Sequence, residues 1–171
     1  MEKNIVLTGF MGTGKSTVGK SVADKLGMQF IDIDHLVEQD QEMYISEIFS
    51  LKGEAYFREL ESKFVQKVSQ YTNVVIATGG GVVLNRDNIN NLKKNGIIIR
   101  LKANIETILR NTSKNNTRPL LQNGDVRSRI EEILKQREKY YQNNHYEIDV
   151  SFLTIEQVVS EIIKIYQQYS G

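Results

Sequence analysis

Apolar and polar positions along this chain follow two rhythms that take turns. Short apolar runs at residues 5–8, 30–33, 74–77, 97–101 and 146–150 read as strands. Each is followed by a stretch with helical spacing. Val18, Val22, Ala23 and Leu26 form one such stripe, stopped by Gly27. Phe57, Leu60, Phe64 and Val68 form a second, and Ile130, Ile133, Leu134 and Tyr141 a third, in a helix expected from residue 126 to about residue 141. Asn104 is placed to cap a helix through Leu109, and Thr154-Ile155-Glu156-Gln157 reads as a capping box. Strand–helix alternation of this kind predicts an α/β fold, a parallel sheet with helices on both faces. Only residues 111–124 show neither period. That stretch is polar, holds the one proline, Pro119, and reads as a mobile surface loop. Beside a ligand site such a loop serves as a lid.

Composition narrows the picture. A length of 171 residues suits one domain over 1–171 with a core of its own. Neither the 40% hydrophobic share nor the 25% charged share departs from a soluble globular protein. A formal charge of +1 gives no reason to expect nucleic acid or an anionic membrane as partner. With no cysteine, disulfides, thiolate metal sites and a cysteine nucleophile are excluded. His35 and His145 are too few for a zinc site without carboxylates. Four residues precede the first apolar run, leaving no room for a signal peptide, and no run approaches a membrane span. A cytoplasmic monomer is the expectation.

Candidate chemistry begins directly after the first strand. Gly9-Phe10-Met11-Gly12-Thr13-Gly14-Lys15-Ser16 fits G-x-x-x-x-G-K-[ST], the phosphate-binding loop, with strand before it and helix after it. Glycines let backbone wrap an anion, and the helix N-terminus aims N–H groups at phosphate. Lys15 would reach the β- and γ-phosphates and the Ser16 hydroxyl would hold Mg²⁺. The strand at 74–77 ends in Thr78-Gly79-Gly80-Gly81 with no acid to share that metal. The acids follow the second strand instead, as Asp32-Ile33-Asp34. At strand alternation both carboxylates project from one side, at the strand end where ligands bind in open α/β sheets. One acid can serve the metal while the other orients or deprotonates an attacking hydroxyl. The competing reading is an ordinary helix N-cap by Asp34.

Two arginines sit on apolar faces. Arg137 falls in the stripe of Ile130 and Tyr141, where a guanidinium needs an anion unless it snorkels to water. Arg58 lies beside its own core stripe, with Glu61 three residues on and in reach to hold it. Arginine meets carboxylates bidentately, so the two together suggest an acidic substrate. Gly79, Gly80 and Gly81 remove side chains where something approaches the backbone, or make a plain flexible turn. Arg118, in the presumed lid, suits either an arginine finger or a solvated surface charge.

These pieces taken in order, GFMGTGKST (9–17), FIDID (30–34), FRELE (57–61), TGGG (78–81), TRPLL (117–121) and REKYY (137–141), resemble shikimate kinase over essentially the whole length. The resemblance implies a P-loop kinase fold, three-layered α/β/α, with five parallel strands ordered 2-3-1-4-5 and a mobile lid. It implies ATP and Mg²⁺ acting on the 3-hydroxyl of shikimate. Asp34, Arg58, Gly79, Gly80, Gly81 and Arg137 match the family's substrate contacts, with Asp34 its suggested base. Gly12, Thr13, Gly14, Lys15, Ser16 and Thr17 fall on its ATP loop, Ser16 and Asp32 on its metal side, and Lys15 and Arg118 on groups that steady transferring charge. Arg110 is the one candidate for adenine. The substrate-binding segment is expected at about 34–61.

Departures are few. Where the family often has alanine, four residues after Tyr141, this chain has His145, read as a packing difference or a cation near a helix end. His35 is read as a surface residue. Rival functions are another small-metabolite kinase, such as a gluconate or nucleoside monophosphate kinase, a non-catalytic nucleotide switch, or a degenerate binding homologue. A guanine-binding N-K-x-D is absent, since Asn91-Leu92-Lys93-Lys94 does not fit it. Retention of Lys15, Asp32, Asp34 and Arg137 argues against degeneracy.

Overall fold

The computed structural model describes residues 3–114 and 125–170. Its five strands are β1 (Asn4–Thr8), β2 (Gln29–Asp32), β3 (Val74–Ala77), β4 (Gly96–Lys102) and β5 (Tyr146–Asp149). They form one parallel sheet in the order β2-β3-β1-β4-β5, the order the resemblance implies. β1 is central: Ile5 pairs with Val75 on one side and with Ile97 on the other. The three inner strands, β1, β3 and β4, lack the polar alternation of a one-sided sheet because both faces are covered, while the edge strands β2 and β5 carry exposed polar residues.

Helices α1 (Lys15–Leu26) and α8 (Ile155–Ser170) cover one face. There Ile5, Leu7 and Ile97 pack with Val18, Val22, Val159 and Ile162. The other face carries α4 (Glu54–Val68), α5 (Arg86–Asn95) and α7 (Val126–Tyr141). Val6, Ile76 and Ile98 meet Val65, Leu92, Ile130 and Ile133 on that side. Adjacent residues of β1 thus feed opposite cores, as a period of two requires. Each such fully buried side chain contributes roughly 1.5–3 kcal/mol. A smaller cluster of Val37, Ile48, Phe57 and Leu60 joins α2 (Ile33–Gln41) and α3 (Ile45–Lys52) to α4. It makes a ledge beside the end of β2.

Local punctuation follows the sequence with one adjustment. The expected caps form: the Asn104 side chain accepts the Thr107 N–H at 2.9 Å, and Thr154 and Gln157 make a reciprocal box at 2.9 and 3.2 Å. Helix α6 (Ile105–Thr112), however, continues past Leu109 into the stretch read as loop. Thr112 is buried, and its hydroxyl donates to the Ile108 carbonyl at 2.7 Å, so a polar residue here closes a helical turn. Of the expected lid, Asn111 and Thr112 are therefore helical, and residues 115–124, with Arg118, lie outside the described residues.

Candidate active site

The phosphate loop joins β1 to α1 with little side-chain help. Gly9 has φ 139°, and a Cβ there would run into the Leu101 carbonyl of β4, so both backbone shape and space demand glycine. Gly14, at φ 88°, is the N-cap of α1. The Thr13 hydroxyl donates to the Phe10 carbonyl at 2.8 Å and pins the bend. Lys15 is buried and reaches back across the loop to the carbonyls of Gly9 and Phe10 at 2.8 and 2.9 Å. A cavity of about 470 Å³ runs from Gly12, Thr13, Gly14, Lys15 and Ser16 to Thr17. Its far wall is Arg110 and Asn111 of α6 with Ser151, Leu153 and Ile155 beyond β5. Asn111 donates to the Gly12 carbonyl at 2.8 Å, tying α6 to the loop. The sequence offered Arg110 as a candidate for adenine, and it lines this cavity, but the rest of that wall was not foreseen, because no motif marks a surface that only topology assembles.

A second cavity, also about 470 Å³, adjoins the first, and Ser16, Asp34 and Gly80 line both. Arg58, Glu61, the three glycines and Arg137 line its deeper part, with Phe49 and Phe57 as an apolar wall. The acid pair departs from the strand-alternation expectation. β2 stops at Asp32, which is itself the N-cap of α2, accepting the His35 N–H at 3.2 Å. Asp34 is not a cap; it stands in the first helical turn. The helical step turns the two acids apart. Asp32 takes the Ser16 hydroxyl at 2.5 Å, toward the phosphate loop. Asp34 points to the glycine turn, where a Cβ on Gly79 would come within 2.7 Å of its Oδ1 and of Glu61 Oε2.

Arg58 is gripped by two acids of its own helix, Glu61 at 3.0 Å and Glu54 at 3.3 Å. Its guanidinium fills the space a Cβ on Gly81 would need. Glu61 is only 1% exposed, and burial pushes its carboxyl above the usual range while Arg58, and more weakly Arg137, oppose that. Arg137 is 6% exposed and makes no ion pair among the described residues. A buried cation in that state is expensive until an anion arrives. Its Nη1 stands 3.8 Å from the position of a Cβ on Gly80. One turn along α7, the Tyr141 hydroxyl donates to the Gly80 carbonyl at 2.5 Å.

The histidines separate. His35 is exposed at the mouth of the second cavity. His145 is exposed overall, but its Nδ1 accepts the Ile98 N–H at 2.9 Å, and partial desolvation of the ring, with Lys93 and Lys3 nearby, holds its pKa down, which disfavours the cation.

A phosphate loop on a central parallel strand, opening onto a second polar cavity, defines a P-loop phosphotransferase. The family model described as "Shikimate kinase" matches residues 11–167. The shikimate kinase of Caldanaerobacter subterraneus subsp. tengcongensis is 57% identical over 169 residues, 99% of each chain. That of Thermoanaerobacter pseudethanolicus is 52% identical over 164 residues, 96% of each. Among solved structures, a shikimate kinase from Acinetobacter baumannii in complex with shikimate superposes with a TM-score of 0.93 at 33% identity, covering 98% of this chain and 94% of that one. The chain belongs to the shikimate kinase family. A gluconokinase from Sinorhizobium meliloti 1021, at 13% identity and a TM-score of 0.61, shares the fold alone.

Proposed function

We propose that this protein transfers the γ-phosphoryl group of ATP to the 3-hydroxyl of shikimate, giving shikimate 3-phosphate for aromatic amino acid synthesis by way of chorismate. The observation that carries the reading is the buried Arg137 opposite the braced Arg58, in a cavity that opens onto the phosphate loop. Shikimate is a carboxylate bearing hydroxyls. Arg58 and Arg137 clamp the carboxylate, and Asp34 with the glycine turn receives the hydroxyls. Asp34 also lines the nucleotide cavity, so the hydroxyl it holds faces the γ-phosphate. Asp34 orients that hydroxyl or takes its proton as the oxygen–phosphorus bond forms and the bond to the β-phosphate oxygen breaks. Gly12 through Thr17 cradle the phosphates, with Arg110 beside the base. Lys15 exchanges its loop carbonyls for phosphate oxygens, and Arg118 adds charge to the transferring group.

The residues present fit one Mg²⁺ ion. Ser16 and Asp32 supply adjacent oxygen donors at the loop, and Mg²⁺ is commonly held by one or two such groups plus phosphates and water. When bound, the ion neutralises charge on the transferring phosphates. A cytoplasmic monomer needing neither membrane nor nucleic acid completes the proposal.

An ADP-release assay with shikimate beside quinate, gluconate and AMP tests it. Turnover with shikimate well above the others is expected. Preference for gluconate or AMP, or no turnover with any, overturns it.

A further inference from the structure

Three consecutive glycines are the least constrained backbone a chain offers, yet this turn lines the acceptor cavity and must hold one shape. Its outer carbonyls are fixed by turn bonds, Val82 N–H to Gly79 at 3.2 Å and Leu84 N–H to Gly81 at 3.1 Å. The middle carbonyl, of Gly80, is met instead by the Tyr141 hydroxyl. A trans peptide is a rigid plane, so fixing that oxygen also fixes the Gly81 N–H, which points the opposite way. Gly81 is in turn the surface on which the Arg58 guanidinium rests.

Tyr141 is suited to the task. It is 1% exposed, and its ring is part of the core on that face of the sheet. Arg100 stacks on the ring at 5.0 Å, anchored by Glu138 at 2.7 and 2.8 Å and by Glu147 at 3.0 Å. Burial raises the phenol above its ordinary range against the pull of Arg137, so the hydroxyl stays protonated and able to donate. The ring supplies packing that phenylalanine would match. The hydroxyl has a separate job.

We infer that the Tyr141 hydroxyl sets the shape of the glycine turn that receives the acceptor, which makes Tyr141 a positioning residue of the site. The inference rests on the function proposed above. Arg137 and Tyr141, one turn apart on α7, act together: the Tyr141 oxygen accepts a hydrogen bond from Arg137 while its proton goes to the Gly80 carbonyl, so one hydroxyl holds both the cation that meets the substrate anion and the backbone facing it.

The test is Tyr141→Phe, assayed with ATP and shikimate and by shikimate titration without nucleotide. Loss of one hydrogen bond to a preorganised turn should raise the shikimate KM and Kd about tenfold. The ATP KM should stay unchanged, and the melting temperature should fall by only a few degrees. Combined with Arg137→Lys, the loss should be smaller than the product of the two single losses. A shikimate KM within about twofold of wild type overturns the inference, as does an equal rise in both KM values. Arg100→Gln is the control that loosens α7 while keeping the hydroxyl. It should lower the melting temperature and leave the shikimate KM nearly unchanged. A shikimate loss matching that of Tyr141→Phe would assign the effect to packing and overturn the inference. If wild-type protein fails to phosphorylate shikimate, the proposed function falls; if it succeeds and Tyr141→Phe matches it, only this inference falls.

Discussion

The proposed nucleotide side and the proposed acceptor side of this site are built from different materials. The heart of the nucleotide side is one continuous stretch, 9–17, whose glycines and helix N-terminus present N–H groups, with α6 and the segment after β5 only closing its far wall. The acceptor side is assembled from side chains on separate elements: Asp34 on α2, Arg58 and Glu61 on α4, the turn after β3, and Arg137 and Tyr141 on α7. There Glu61 and Arg137 are buried and Asp34 and Arg58 half-buried, so the charges depend on one another. Phosphate is common to all such kinases, and the acceptor is what sets them apart. The backbone site therefore carries the shared chemistry and the side-chain site the discrimination.

The largest expected effect breaks the chemistry where the two sides meet. Asp34→Asn should lower kcat by roughly 10²-fold or more, as loss of a general base does, with both KM values little changed. Stopped-flow measurement of the transfer step checks this, and an unaltered rate would remove Asp34 from the chemistry. Next comes Arg137→Ala. Removing one arm of the clamp should cost about 2–5 kcal/mol, a shikimate KM raised by roughly 30-fold or more, with ATP affinity intact. Lysine at 137 should rescue poorly, lacking the planar fork.

Glycine replacements sharpen the contrast further. Gly9→Ala pushes a Cβ into the Leu101 backbone at a positive φ, so it should lower stability by about 1–3 kcal/mol and impair ATP binding. Gly81→Ala sits at φ −102°, open to any residue, and displaces only the flexible end of Arg58. It should leave the melting temperature and ATP KM alone and raise the shikimate KM severalfold. If both alanines act alike, the two sides do not differ as described.

The smallest effect is a pH dependence of stability. His145 has its folded pKa held below the unfolded value, so its contribution is present above about pH 6.5 and is lost as pH falls through that region. Thermal melts at pH 7 and pH 5.5 should show a decline that His145→Gln flattens.

Legibility in the sequence divided along the same line. Residues 9–17 announced themselves, because a contiguous motif needs no tertiary structure to be seen. Strand positions and the caps at Asn104 and Thr154 were readable from period and side-chain chemistry, and the sheet order came through the family resemblance. The pairing of Arg58 with Glu61 was visible as helical spacing. That of Arg58 with Glu54 was overlooked, although it follows the same spacing rule. The cap role of Asp32 was hidden because one residue serves both as strand end and helix start. Tyr141 looked like core, and its ring is core; nothing in the spacing says that its hydroxyl reaches a turn 61 residues away. The tie from Asn111 to Gly12 was equally invisible, since its partners lie 99 residues apart.

The sheet order also sets a schedule for the growing chain. β1 leaves the ribosome first among these strands, yet its right-hand neighbour is β4, which ends at Lys102. Until then β1 is an apolar edge, the kind of surface that pairs with other chains. The cavity that opens from β2 waits longer, for α7 must follow before Arg137 and Tyr141 can dock. The cavity at the phosphate loop waits longest, since its far wall is Ser151, Leu153 and Ile155, which leave the ribosome after α7. A chain cut short between α7 and β5 would hold the deeper pocket and the loop, but neither the wall that closes the loop's cavity nor the helix that covers that face of the sheet.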